Sequence, residues 1–294
     1  MSNWNSGRGN VVELSRKKAI ADHSRRRVVP INARRKFGNP RPLFAAWDEI
    51  EAALCEATSL VVMSDFDGTL TPIRSQPELV RLSAHVRVAL AQLVAKDVLV
   101  GVVSGRSLPD VRKRVGLDRI CYVGCHGYSF QTTNGHPVTL MNRAEEALLP
   151  SISRTLRLRL KDLRGIRVET KEAGISIHYR NATRRDAKRA RTAIQETIRR
   201  NRRLHLITGK KVWEILPGPG VDKWTAIRML LALEDRAKSL LVYIGDDVPD
   251  EYVFARMRGI SVAVGKRRHT AARFYVETTA DVRRFLEELA RARV

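Results

Sequence analysis

Cysteine is scarce in this chain of 294 residues: Cys55, Cys121 and Cys125 are odd in number and lack the spacing of metal ligands. No disulfide framework is implied, and a reducing, cytoplasmic setting is expected. Long hydrophobic runs are also missing. None reaches the length that spans a bilayer, so no membrane partner is expected. The N-terminal stretch has no apolar core of a secretory signal, although its Arg- and Ser-containing, acid-poor composition superficially resembles an organelle transit peptide. Aromatic residues make up 6% of the chain, too few for base-stacking platforms, and no recognisable nucleic-acid-binding motif is present. Acidic residues are outnumbered, 31 against 54 Lys and Arg, for a formal net charge of +23. That excess is uneven. Residues 1–42 hold eleven Lys and Arg against Glu13 and Asp22, including Arg25-Arg26-Arg27 and Arg34-Arg35-Lys36. Without apolar periodicity, they read as a flexible basic arm, the one segment expected to touch nucleic acid. Elsewhere a solvated basic face that also draws in an anionic substrate is the simpler reading.

What the chain does have is enough length and apolar content, 44%, for a sizeable core and more than one domain. The most informative stretch is Val61-Val62-Met63-Ser64-Asp65-Phe66-Asp67-Gly68-Thr69-Leu70. A short β-branched run reads as a buried parallel strand. It ends in two carboxylates, a glycine and a hydroxyl residue, at the strand end where open α/β sheets bind ligands. Two acids there repel and are desolvated unless a divalent cation offsets them. The pattern then repeats. A helix capped by Ser83 leads to a strand over 98–103 that ends at Ser104-Gly105-Arg106. A helix over 108–115 leads to a strand over 120–123 that ends at Gly124-Cys125-His126-Gly127. Alternating strands and helices predict an α/β fold with a doubly wound parallel sheet.

The middle section changes character. A helix over 145–163, alternating strands over 166–170 and 175–179, a basic helix over 184–200 and short strands over 204–207 and 212–216 make an α-β-β-α-β-β unit. Antiparallel hairpins inside a parallel-sheet chain predict an inserted α+β domain. After Pro217-Gly218-Pro219-Gly220 the first pattern resumes. Asp222 caps a helix over 223–233, a strand over 240–244 ends at Gly245-Asp246-Asp247, and helix, strand and helix follow over 250–257, 260–264 and 281–290. The expected organisation is the arm, 1–42; a core, 43–142 and 217–294; and a cap, 143–216.

Parallel strands bring Asp65, Asp67, Ser104, His126, Asp246 and Asp247 to one sheet edge, with Lys223 at a helix start. Carboxylates, hydroxyl and ammonium together suit phosphoryl transfer. These motifs resemble the haloacid dehalogenase-like (HAD) hydrolases. More closely, Asp65–Ile73, Ser104–Ser107, Gly124–Gly127, Val168–Lys171, Ser176–Arg180, Gly209–Glu214 and Gly245–Glu251, in that order, resemble the trehalose-phosphatase family. The resemblance implies a Rossmann-like core under an inserted cap, and magnesium-dependent hydrolysis of a sugar phosphate. It implies Asp65 as nucleophile and Asp67 as acid and base. Asp65, Asp246 and the Asp67 backbone carbonyl would hold the metal, with Asp247 and Asp250 close by. Ser104, Gly105 and Lys223 would bind phosphate. Arg106, His126, Gly127, Glu169, Lys171, Arg180 and Glu214 would line the sugar site. Three positions depart from the family pattern: Leu216 removes a cation, Trp224 replaces a glycine and Pro249 replaces a threonine. These departures make another sugar phosphate, of sucrose or glucosylglycerol type, the alternative substrate. A non-catalytic nucleic-acid-binding descendant is the alternative of a different class.

Overall fold

In the computed structural model, residues 38–292 are described except 75, 200, 202, 210, 219, 267 and 268. The elements run β1 (Arg41–Pro42), α1 (Trp47–Glu56), β2 (Leu60–Asp65), α2 (Ala84–Ala95), β3 (Leu99–Val103), α3 (Leu108–Val115), β4 (Cys121–Gly124), β5 (Ser129–Gln131) and β6 (Pro137–Thr139). There follow α4 (Arg143–Leu160), β7 (Arg167–Lys171), β8 (Gly174–His178), α5 (Arg184–Arg199), β9 (Leu204–Gly209) and β10 (Val212–Pro217). The chain closes with α6 (Lys223–Leu233), β11 (Leu240–Gly245), α7 (Val248–Phe254), β12 (Ile260–Val264), β13 (Phe274–Val276) and α8 (Thr279–Ala292).

Alternation along the central strands dictates three layers. Leu60 and Val62 of β2 join Val100 and Val102 of β3 in one apolar cluster, with Val86 and Leu90 of α2 and Phe285 of α8. Val61 and Met63 face the opposite way, to Ile227 and Leu230 of α6 and Phe254 of α7. Both faces are covered, so the strands are apolar throughout rather than every second residue. The large sheet has the order β1-β13-β12-β11-β2-β3-β4-β5-β6, parallel from β1 to β4 and antiparallel at β5 and β6. The chain builds from β2 outward through β3 and β4, then returns to add β11 on the other side of β2. The switch point therefore lies between β2 and β11, where such sheets open a crevice.

The middle section forms its own antiparallel sheet, β7-β8-β10-β9. Val168, Ile175, Ile177, Trp213 and Ile215 point to one side, against Ile152 and Leu156 of α4 and Ile194 of α5. Asn142 caps α4 through a reciprocal pair with Glu145. Arg41 and Pro42, read from the sequence as the end of the basic arm, instead form an edge strand paired with Phe274 and Tyr275. Proline is tolerated at a sheet edge. The arginine clusters further upstream lie outside the described residues. No helix among the described residues is long and apolar enough to cross a membrane.

Candidate active site

The end of β2 turns sharply. Gly68 donates its N–H to the Thr71 carbonyl at 2.7 Å, and the Thr71 N–H returns to Phe66 at 3.1 Å. Gly68 has φ +93°, and a Cβ there would collide with the Asp246 carboxylate. Glycine is required twice, for the backbone and for the room it leaves a neighbouring acid. The turn keeps Asp65 buried and leaves Asp67 partly open, its side chain 35% exposed.

Asp65 sits in a dense polar cluster. Lys223 Nζ, from the first turn of α6, donates to Asp65 Oδ1 at 2.6 Å and to Asp250 Oδ1 at 2.7 Å. Tyr243 donates to the same Asp250 oxygen, and the backbone N–H groups of Asp246 and Asp247 donate to the other, each at 2.9 Å. Asp250 is thus the scaffold of the cluster, and its reciprocal cap with Asp247 starts α7. The helix begins at Val248, two residues before the predicted start at Asp250, because that cap closes first. Burial, then Lys223 against Asp250 and Asp246, act on Asp65, and its carboxyl lies well above the usual range. Burial works against the Lys223 ammonium, yet Asp250 and Asp65 outweigh it and raise its pKa. Oxygens of Asp65, Asp246 and Asp250 all lie within 4.8 Å of one another. Three buried carboxylates thus converge on one point. An all-oxygen set of this kind suits a hard divalent cation.

The end of β3 supplies the next groups. Ser104 Oγ accepts from the Arg106 N–H at 3.1 Å. Arg106 grips Asp67 with Nε and one terminal nitrogen, both at 2.6 Å, while its other terminal nitrogen donates to Asp110 at 3.0 Å. A two-pronged guanidinium contact fixes both position and plane of the Asp67 carboxylate. At the end of β4, Cys125, His126 and Gly127 all have positive φ. This coiled turn presses the His126 ring onto Gly105 and Gly127 onto the Asp222 carbonyl, where in each case a Cβ would clash.

The opposite wall comes from the small sheet, on the face turned away from α4 and α5. Glu214 of β10 is buried and accepts from Lys171 at 2.6 Å, from Ser176 at 2.8 Å and from His126 Nε2. Lys171 also donates to the Gly105 carbonyl at 2.7 Å, joining β7 to the β3 loop. Burial opposes ionisation of Glu214, but His126 and Lys171 hold its carboxyl well below the usual range. Glu169 accepts from His178 at 2.8 Å, which lowers its carboxyl too. Between the two walls lies a cleft of about 810 Å³ whose lining includes Asp65, Asp67, Ser104, Lys223, Asp246, Glu169, Lys171, Arg180 and Glu214. Arg106, His126 and Asp247 line it as well, with Arg180 exposed at its rim.

Every side chain expected to act at the site therefore converges on one cleft, except that Asp250 lies beneath it, bonded to Lys223. Gly127 supports the wall from behind. Of the three departures, Pro249 lines the cleft. Leu216, on the same face of β10 as Glu214, is buried in the apolar cluster of the small domain outside the cleft lining, and Trp224 packs against the core under α6. Residues the sequence reading passed over include Asp110, Ser176 and Tyr243, which orient Arg106, Glu214 and Asp250. Asp110, four residues after Arg106 on α3, was the one legible from spacing.

Strand ends carrying Asp65, Asp67, Ser104 and Asp246, facing an inserted four-stranded cap, define a HAD fold. The trehalose-phosphatase family model matches residues 63–282, and the chain belongs to that family. Curated trehalose-phosphate phosphatases of Mycobacterium ulcerans and Mycobacterium tuberculosis are 35% identical over 241 residues and 34% over 242. Each match covers 78% of this chain, which spans only 61% of the length of these relatives. Among solved structures, the C-terminal domain of C. albicans trehalose-6-phosphate phosphatase aligns with TM-score 0.74 and 20% identity, over 86% of this chain and 98% of that one. A trehalose-6-phosphate phosphatase related protein aligns with TM-score 0.67 and 27% identity, over 79% and 97%.

Proposed function

We propose that this chain is a magnesium-dependent phosphatase that converts trehalose 6-phosphate and water to trehalose and inorganic phosphate, with residues 143–216 as its cap. The observation that carries the reading is the single cleft in which Asp65 and Lys223 face Glu214 and Lys171. One wall has the groups for phosphoryl transfer, the other the polar side chains that hydrogen-bond sugar hydroxyls.

Asp65 attacks phosphorus while the bond to the sugar oxygen breaks, leaving an aspartyl-phosphate. Asp67 gives its proton to the departing oxygen, then takes one from water as that water attacks phosphorus. Phosphate leaves and the Asp65 carboxylate is restored. Arg106 orients Asp67 throughout, Lys223 orients Asp65, and Ser104 with the Gly105 backbone receives phosphoryl oxygens. A magnesium ion held by Asp65, Asp246 and the Asp67 carbonyl would neutralise charge on the phosphoryl group.

Trehalose 6-phosphate is favoured over sucrose- or glucosylglycerol-type phosphates because Leu216 and Trp224 lie outside the cleft lining, leaving one departure, Pro249, inside it. The test is phosphate release from a panel of sugar phosphates with and without magnesium, with Asp65→Asn as control. Magnesium-dependent preference for trehalose 6-phosphate, lost on the order of 10⁴-fold in the variant, is expected. Preference for another sugar overturns the substrate assignment, and release from none overturns the reaction.

A further inference from the structure

Positive charge in this protein is concentrated where the chemistry is not. Residues 143–216 carry twenty Lys and Arg against eight Asp and Glu, whereas 43–142 and 217–294 together carry twenty-three against twenty-one. A few of the cap cations, such as Lys171, Arg167 and Arg180, line the cleft. Most do not. Helix α5 carries Arg184, Arg185, Lys188, Arg189, Arg191 and Arg199, all exposed. Its apolar face, Ala190 and Ile194, is spent on the cap core. Beside it, α4 and the turn after it expose Arg154, Arg157, Lys161 and Arg164. A groove of about 420 Å³ between the two helices is edged by Arg159, Lys188 and Arg189. Acids answer only part of this charge: Glu196 pairs with Arg159, and Asp186 reaches Arg189 at 3.7 Å.

The side chains of the small sheet fix the direction of this face. Glu169, Lys171 and Glu214 point to the cleft, whereas Val168, Trp213 and Ile215 point to α4 and α5. The outer surfaces of those helices are then separated from the cleft by the thickness of a sheet and a helix, about 20 Å. That is more than two Debye lengths at physiological salt, about 8 Å each. Screening thus removes the explanation offered by the sequence alone, in which a basic helix draws substrate to the site.

We propose that the outer face of α4 and α5 is a second binding surface, for the phosphate backbone of duplex nucleic acid. The chemistry favours that occupant. Nine of the eleven exposed cations named here on α4, the following turn and α5 are arginines, whose planar forks match phosphate oxygens. Helix α5 alone, 16 residues long, spans about 24 Å, or about seven phosphates of one strand. Leu158 is the one large hydrophobic exposed on this face among the described residues, too little to insert into a lipid surface. With no exposed aromatic on these helices for stacking on bases, binding reads the backbone and ignores sequence.

Fluorescence anisotropy of a labelled random-sequence 24-base-pair duplex, titrated with the full chain at 50–200 mM salt, tests the proposal. The informative variant is Arg184→Gln, Lys188→Gln, Arg191→Gln. An equally discharged control, Arg228→Gln, Lys238→Gln, Arg258→Gln, alters exposed cations of the core. The cap variant should bind at least tenfold more weakly, with a salt slope shallower by about 2–3, while the control binds like the parent and both melt like it. No duplex binding at 50 mM salt overturns the proposal. So does equal weakening of both variants, or no weakening of the cap variant. Binding to phosphatidylserine vesicles but not to the duplex overturns it in favour of a membrane surface.

Discussion

Gly68 and Gly127 both have positive φ and both leave no room for a methyl group, yet what stands in the way differs. At Gly127 the obstacle is the backbone carbonyl of Asp222, at the start of α6; at Gly68 it is the side chain of Asp246. A carboxylate can rotate where a carbonyl in a capped helix start cannot. Gly127→Ala should therefore cost more than the roughly 1–2 kcal/mol of the left-handed conformation alone, read from urea unfolding. Gly68→Ala should cost about that amount, and its larger effect should be weaker magnesium binding by calorimetry, because Asp246 is displaced. Asp65 invites a second test. Its carboxyl is raised in the fold, so the folded state holds the proton more tightly than the unfolded one, and ionisation above the unfolded value near 3.8 destabilises the protein. Metal-free Asp65→Asn should thus melt above the metal-free parent at pH 7, by roughly 2–4 °C. Saturating magnesium should narrow or reverse that order. A lower melting temperature without metal would show that Lys223 already balances the charge.

At the scale of elements, helix ends decide what could be read in advance. Ser83, Asp222 and the apolar runs before Asp65 and Asp246 were legible because each is a local signal, a cap or a continuous buried strand. Helix α4 was not placed as well. Its start was read at Glu145, whereas Asn142 is the cap and Glu145 its reciprocal partner, Asn142 accepting from the Glu145 N–H at 3.0 Å. Asn142→Ala should cost about 1 kcal/mol, lowering the urea midpoint without changing the slope. Strands β1, β5, β6 and β13, two or three residues each, are too short to show a period. They exist because a sheet edge was available. The site divides the same way. The acids announce themselves by spacing, but His126 meets Glu214 across 88 positions, and nothing local in either stretch predicts the other.

The whole molecule is held in its closed form by contacts between cap and core. Glu172, at the turn of the β7–β8 hairpin, accepts from the Leu108 N–H at 2.8 Å and from Ser129 at 2.7 Å. Arg167 reaches Glu78 at 2.9 Å. Between these lies the buried group of His126, Lys171 and Glu214. The depressed carboxyl of Glu214 contributes stability that is present above its unfolded value near 4.5 and lost as pH falls toward the folded value. Glu214→Gln should cost roughly 3–5 kcal/mol at pH 7, since it leaves the buried Lys171 ammonium without its carboxylate. Below pH 4.5 the gap to the parent should shrink. A pH-independent difference between variant and parent would remove Glu214 from the acid transition.

The order of the large sheet also governs how the protein is made. Strand β2 receives one neighbour, β3, soon after it leaves the ribosome. Its other neighbour, β11, pairs Leu240 with Leu60, 180 positions later. At bacterial-to-eukaryotic elongation rates of about 5–20 residues per second, one edge of the central strand stays unpaired for roughly 10–40 s. An apolar strand left open that long is a template for pairing with another nascent chain. Asp65 is synthesised early and its buried setting is completed late, so the protein's yield in a cell depends on whatever shields that edge until the second half of the core arrives.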